Sequence, residues 1–115
     1  MKLAIVGSRS FNDMQLLESI LNKYKDKIST VVSGGAIGAD TMGEKWAITN
    51  KIAIKIFKPE WEKYGKSAGM RRNELIIQEC DICIAFWDGK SKGTANSIFI
   101  CEKLNKKIAI IRYDN

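Results

Sequence analysis

The stretch TVVSGGAIGAD, residues 30–40, passes from a short β-branched run into three glycines and two alanines. A helix-like stretch, Thr41 to Asn50, follows. Val31 and Val32 suit a strand, because branched side chains fit a pleated surface. Glycines at the hand-over carry an entropy cost that something in the fold must offset. Two offsets fit these letters. Glycine lets backbone N–H groups approach an anion, and a helix N-terminus adds unpaired N–H groups and partial positive charge. A tight turn with close helix–strand packing by Gly34, Gly35 and Gly38 serves equally well. The loop is neither the dinucleotide GxGxxG nor the GxxxxGK[ST] phosphate loop. Asp40, at its end, either caps the second helix or holds a ligand hydroxyl.

The same strand-to-helix unit repeats outward from this point. Apolar runs at Leu3–Val6, Thr30–Val32, Ala53–Phe57, Ile82–Phe86 and Ile108–Arg112 are nearly continuous, as expected of strands buried on both faces of a parallel sheet. Four helix-like segments alternate with them. The first carries Met14, Leu17, Ile20, Leu21 and Tyr24 on one face, with Asn12 or Asp13 to cap it. The second spans about Asp40 to Asn50, the third about Met70 to Glu79. The fourth spans about Thr94 to Leu104, with Ile98, Cys101 and Leu104 inward. Strict alternation predicts one α/β domain over residues 1–115, a three-layer sandwich with a five-stranded parallel sheet in the order 3-2-1-4-5. The one long connection, Lys58 to Gly69, carries the only proline, Pro59.

Composition narrows the chemistry. A chain of 115 residues with 45% apolar and 28% charged residues fits one modest core. No apolar run approaches the ~20 residues of a membrane span, so no membrane partner is expected. Cys80, Cys83 and Cys101 read as buried thiols of a reduced, cytoplasmic protein. The chain has no histidine, a usual zinc partner, so no metal site is expected. No cofactor is expected either. The net charge of +6 suits an anionic partner, although a solvated lysine-rich surface accounts for it as well.

The unusual residues gather after strands, at the end of an open parallel sheet where ligands bind. Gly7-Ser8-Arg9 follows the first strand and SGGAIGAD the second. The third is followed by Trp61, Tyr64, Lys66, Arg71 and Arg72, where aromatic faces suit a base and cations suit phosphate. The fourth is followed by Asp88-Gly89 and then Gly93-Thr94, turn chemistry that opens a helix. Connections at the opposite end, such as Lys25-Asp26-Lys27, are plain lysine turns.

Four ordered motifs stand out: Gly7-Ser8-Arg9; Ser33-Gly34-Gly35-Ala36-x-Gly38-Ala39-Asp40; Trp61-x-x-Tyr64-Gly65-Lys66-x-Ala68-Gly69-x-x-Arg72-Asn73; and Ala85-Phe86-Trp87-Asp88-Gly89-x-Ser91-x-Gly93-Thr94. Together they resemble the YspA-like branch of the SLOG superfamily, the Rossmann-like group related to DNA-processing protein A and Lonely Guy. The resemblance implies a crevice for a nucleotide or nucleotide-derived ligand. It places Gly7, Ser8, Arg9, Gly34, Gly35, Gly38, Asp40, Arg72, Asn73, Asp88, Gly93 and Thr94 at or near that crevice. Loop chemistry adds Ser33, Trp61, Tyr64 and Lys66. Lonely Guy enzymes hydrolyse N-glycosidic bonds and carry PGGxGTxxE, whose glutamate is replaced here by Ser97. DNA-processing protein A shares Gly-Ser-Arg and a related glycine loop, and it binds single-stranded DNA as oligomers.

The leading expectation is therefore a binding module that senses or sequesters a signalling nucleotide, self-associating like its relatives. The alternative is a hydrolase of an N-glycosidic or phosphate bond. Without histidine its proton transfer falls to Asp40, Asp88, Glu60 or Glu74, with Asp40 and Asp88 best placed. The third reading is single-stranded nucleic-acid binding.

Overall fold

The computed structural model describes residues 1–113 of the chain. Five parallel strands, β1 (Lys2–Gly7), β2 (Thr30–Ser33), β3 (Ala53–Ile56), β4 (Ile82–Trp87) and β5 (Lys107–Arg112), form one sheet in the order β3-β2-β1-β4-β5. This is the predicted order. Five α-helices join them: α1 (Met14–Leu21), α2 (Ala39–Thr49), α3 (Trp61–Tyr64), α4 (Ala68–Glu79) and α5 (Lys92–Lys103). Asp13 caps α1, its carboxylate accepting from Leu16 N at 3.0 Å, so the start of that helix is encoded locally.

Alternation along the central strands divides the core in two. Leu3 and Ile5 face Leu17 and Leu21 of α1 and Trp46 and Ala47 of α2. Ala4 and Val6 face Ile76 and Ile77 of α4 and Ile98 and Cys101 of α5. Cys80, Cys83 and Cys101 are buried and free, as expected of packed thiols. Burial pushes the Cys80 thiol up to about 11, which keeps it protonated near neutral pH.

Three expectations need correction. The edge strands are not buried on both faces: Lys55 and Ile56 of β3 and Ile110 of β5 are exposed. Their apolar letters still pack one face, which is all an edge strand requires. The connection at 58–69 is not a plain loop, because Trp61–Tyr64 coils into α3 and α4 already begins at Ala68. Leu104 does not point inward. It follows the last residue of α5 as the cap, 40% exposed, where the chain turns through Asn105 with φ 54° toward β5.

The order of the strands creates the site. From β1 the chain winds outward through α1 and α2 to β3, then returns to pair β4 with the free side of β1. Leu3–Gly7 lies in register with Ile82–Phe86. The connections that leave β1 and β4 go to opposite faces, so their loops part and leave a crevice.

Candidate functional site

A crevice of 460 Å³ opens where the loops after β1 and β4 diverge. Of the predicted residues, Gly7, Ser8, Arg9, Asp40, Arg72, Asn73, Asp88, Gly93 and Thr94 line it. Ser33, Gly34, Gly35 and Gly38 stand behind that lining and build the wall that carries Asp40. Trp61 and Tyr64 lie outside it, on α3. Lys66 lines a neighbouring cavity instead.

The β2–α2 loop answers the question its glycines raise. Gly34 N and Ala36 N both donate to Asp40 Oδ2, at 3.2 and 3.3 Å. The anion cradled by this loop is the chain's own carboxylate. Asp40 thus caps the loop, while the helix cap itself is Gly38, without a side-chain bond. Gly38 has φ +88°, and a Cβ there would sit 2.5 Å from Ser8 O and 2.8 Å from Arg9 Cα. Two backbones therefore meet at van der Waals distance. Gly35 has φ +73°, a left-handed turn that alanine adopts only under strain. Ser33 Oγ donates to Glu44 Oε2 at 2.6 Å and accepts from Gly35 N at 3.2 Å, which fixes the start of the turn.

Asp40 is 6% exposed, and burial pushes its carboxyl up to about 6. The two backbone N–H groups and the Arg72 guanidinium pull the other way, and Glu44 adds to the rise. Arg72 is itself half-buried, and burial holds its pKa below the usual range despite Asp40. Its Nη1 donates to Gly34 O at 2.8 Å and its Nε to Asn73 Oδ1 at 3.1 Å. Arg72 therefore braces the glycine loop while lining the crevice. Arg9 is exposed at the mouth, and no hydrogen bond or ion pair ties it to another described residue.

The β4–α5 loop is built differently. Asp88 Oδ1 accepts from Lys90 N and Ser91 N, both at 2.8 Å, and these bonds hold its carboxyl below the usual range. Asp88 N donates to Ser8 Oγ at 3.3 Å, joining the two sides of the crevice at its floor. Ser91 caps α5 by accepting from Thr94 N at 3.4 Å. Among the described residues, no partner takes the N–H groups of Lys92 and Gly93. Gly93 also has nothing within 4 Å of an added Cβ. This helix start therefore presents unpaired backbone donors with the favourable end of the helix dipole behind them.

Sequence reasoning missed several lining residues. Ser91 was findable, since serine is a favoured cap residue just before a helix start. Ser97, at the position where Lonely Guy carries glutamate, lines the crevice and donates to Gly93 O at 3.3 Å. Ala36 and Ile76 line it too and carry no letter that marks them. The end of β5 also reaches the rim. Tyr113 and Ser10 share a hydroxyl bond of 3.0 Å, and Arg112 lies 5.3 Å over the Trp87 ring.

Comparisons with known proteins agree on the fold. A family model described as the YspA, cpYpsA-related SLOG family matches residues 1–64. The Gene 61 protein of Mycobacterium phage D29 is 31% identical over 111 residues, covering 89% of each chain. DNA processing protein A from Streptococcus pneumoniae superposes with a TM-score of 0.82 at 19% identity over 98% of this chain. Its counterpart from Helicobacter pylori, described with a unique single-stranded DNA binding mode, gives 0.77 at 20% identity over 96%. This chain spans 50% and 64% of those two structures' chains, respectively. Among the described residues, no helix is long and apolar enough to cross a membrane.

Proposed function

The chain belongs to the YspA, cpYpsA-related SLOG family, and on that footing we propose that it is a binding module for a nucleotide or nucleotide-derived signalling ligand, which it senses or sequesters. One observation carries the reading. An unengaged arginine, Arg9, and Gly93, whose N–H has no partner among the described residues, border the same 460 Å³ crevice. A phosphate between them accepts from a guanidinium fork and from backbone donors, a pairing that suits its oxygens. Asp88 and Asn73 then face the sugar, and Asp40 stays with its loop. In this reading residues 1–115 form one SLOG-like domain acting in the cytoplasm. Exposed apolar side chains such as Phe99, 62% exposed, give it a face for self-association.

Calorimetry with adenosine and AMP tests the phosphate assignment. AMP should bind at least tenfold tighter than adenosine, and Arg9→Ala should remove that difference without changing the circular dichroism spectrum. Equal affinities for AMP in wild type and Arg9→Ala would reject it. The same experiment addresses turnover: AMP recovered intact after long incubation with stoichiometric protein supports a binder, and released adenine would make it a hydrolase.

A second reading is binding of single-stranded DNA. The Helicobacter pylori relative's described binding mode favours it, as does the net charge of +6. Its mark is salt dependence. Affinity for an oligothymidylate should fall with a log–log slope of about −0.7 per neutralised phosphate, whereas a mononucleotide shows a shallow slope.

A further inference from the structure

A second cavity, of 420 Å³, adjoins the crevice and shares Arg72, Asn73 and Gly93 with it. The residues that belong to it alone include Lys66, Met70, Lys92 and Asn96. Its chemistry differs from that of the crevice. The crevice holds two carboxylates, Asp40 and Asp88, whereas the second cavity has three cations and no carboxylate in its lining. Met70 is 58% exposed, a large thioether left open to solvent beside this cavity. Thioethers make favourable contacts with aromatic rings. Asn96 Nδ2 is buried without a hydrogen-bond partner among the described residues. A buried amide donor left unpaired is costly, and a turn of the amide toward the cavity offers it an acceptor on a ligand. Cations, a carboxamide and an exposed soft apolar side chain are the groups that recognise a heteroaromatic base and its phosphate together.

We propose that this cavity is a second nucleotide subsite, so that the ligand has two nucleotide units joined through phosphate. The inference rests on the reading of the crevice as the first subsite. The wall formed by Arg72, Asn73 and Gly93 faces both cavities, and the linking phosphate crosses it beside Arg72. The second base lies against Met70, with its edge toward Asn96, and Lys66 and Lys92 flank its phosphate.

The test is a ligand series measured by calorimetry: AMP, 5′-phosphorylated adenylyl-adenosine and the corresponding tetranucleotide, with a parallel thymidine series. The dinucleotide should bind at least tenfold tighter than the mononucleotide in one of the two series. Lys66→Ala and Met70→Ala, both at exposed positions, should abolish that gain while leaving mononucleotide affinity within twofold. Asn96→Ala should reduce the gain and change the preference between adenine and thymine. A tetranucleotide no tighter than the dinucleotide identifies a free dinucleotide-like ligand, and a further gain identifies a strand; both keep the subsite. Mononucleotide binding with no gain for the dinucleotide overturns this inference alone. So does an equal loss for both ligands in the variants. Failure of every mononucleotide and dinucleotide to bind overturns the parent reading, and this one with it.

Discussion

Two loops enter helices beside the same crevice, and they treat backbone N–H groups in opposite ways. The β2–α2 loop has three glycines, yet its donors Gly34 N and Ala36 N are engaged by Asp40, and Gly38 is pressed against the backbone of Ser8 and Arg9. The β4–α5 loop has two, yet among the described residues the N–H groups of Lys92 and Gly93 stay open and Gly93 borders empty space. The number of glycines therefore says little about where an anion binds. What matters is whether a side chain of the protein already occupies the nest. Here the richer loop is a closed structural element and the poorer one is the available donor.

The strongest test of that contrast is Gly38→Ala. The methyl meets Ser8 O at 2.5 Å in a left-handed conformation, so both the strain and the clash oppose it. A loss of about 3 kcal/mol or more is expected, seen as a melting temperature lower by more than ~10 °C. A drop of only a few degrees would mean that the loop is not closed as described.

Next in size is the carboxylate inside the closed loop. Asp40 titrates near 6 in the fold and near 3.8 when free. The native state therefore holds a proton that the unfolded chain lacks between those values, and stability from this group rises as pH falls through 6. The difference is about 3 kcal/mol between neutral pH and pH below 4. The neutral acid keeps an oxygen to accept from Gly34 N and Ala36 N, so the loop survives protonation. Denaturant unfolding of wild type and Asp40→Asn between pH 4 and 7 should show wild type gaining on the variant as pH falls. Subtracting the variant removes the other carboxylates, among them Glu79, whose lowered pKa acts in the opposite direction. Parallel curves would show that Asp40 carries no such burden.

The smallest effect falls on the open loop and concerns affinity. Gly93→Ala adds a methyl in free space at the second position of α5, so stability should hold or rise by up to about 1 kcal/mol. AMP affinity should fall about tenfold if the phosphate sits at this helix start, because the added methyl takes up open space beside the Gly93 N–H. Unchanged affinity would move the anion elsewhere. Gly35→Ala cannot substitute for this probe, since its φ of +73° mixes strain with any steric effect.

Much of the fold could be read from the letters because buried parallel strands leave continuous apolar runs. Leu3–Val6 and Ile82–Phe86 show this, and their neighbours across the sheet follow from the alternation. Edge strands escape the rule, since one packed face suffices for them, and Lys55 within β3 is the visible sign. The crevice was legible as an asymmetry between the two ends of the sheet. Its inner wiring was not. Nothing beside Asp40 in sequence says that its partners are Gly34 N and Ala36 N, nor that Arg72, 38 positions beyond Gly34, reaches its carbonyl. The Asp40 bonds depend on the exact fold of the loop, and the Arg72 bond on how α4 packs beside β2, a tertiary fact. Tyr113 and Arg112 reach the rim only because β5 lies beside β4 in a register that ends level with Trp87.

The contact between Gly38 and the Ser8–Arg9 backbone has a mechanical consequence. Two main chains that touch without an intervening side chain have no rotamer to relax, so the β1 and β2 loops move as one stiff jaw. A Cβ at Gly7, only 2.5 Å from that of Ala39, would jam the same joint. The opposite side of the crevice, the turn at 88–93 with the start of α5, is shaped instead by the side-chain hydrogen bonds of Asp88 and Ser91. One side of the crevice is thus set by main chain against main chain and the other by side-chain hydrogen bonds, and the glycine-rich side is the stiffer.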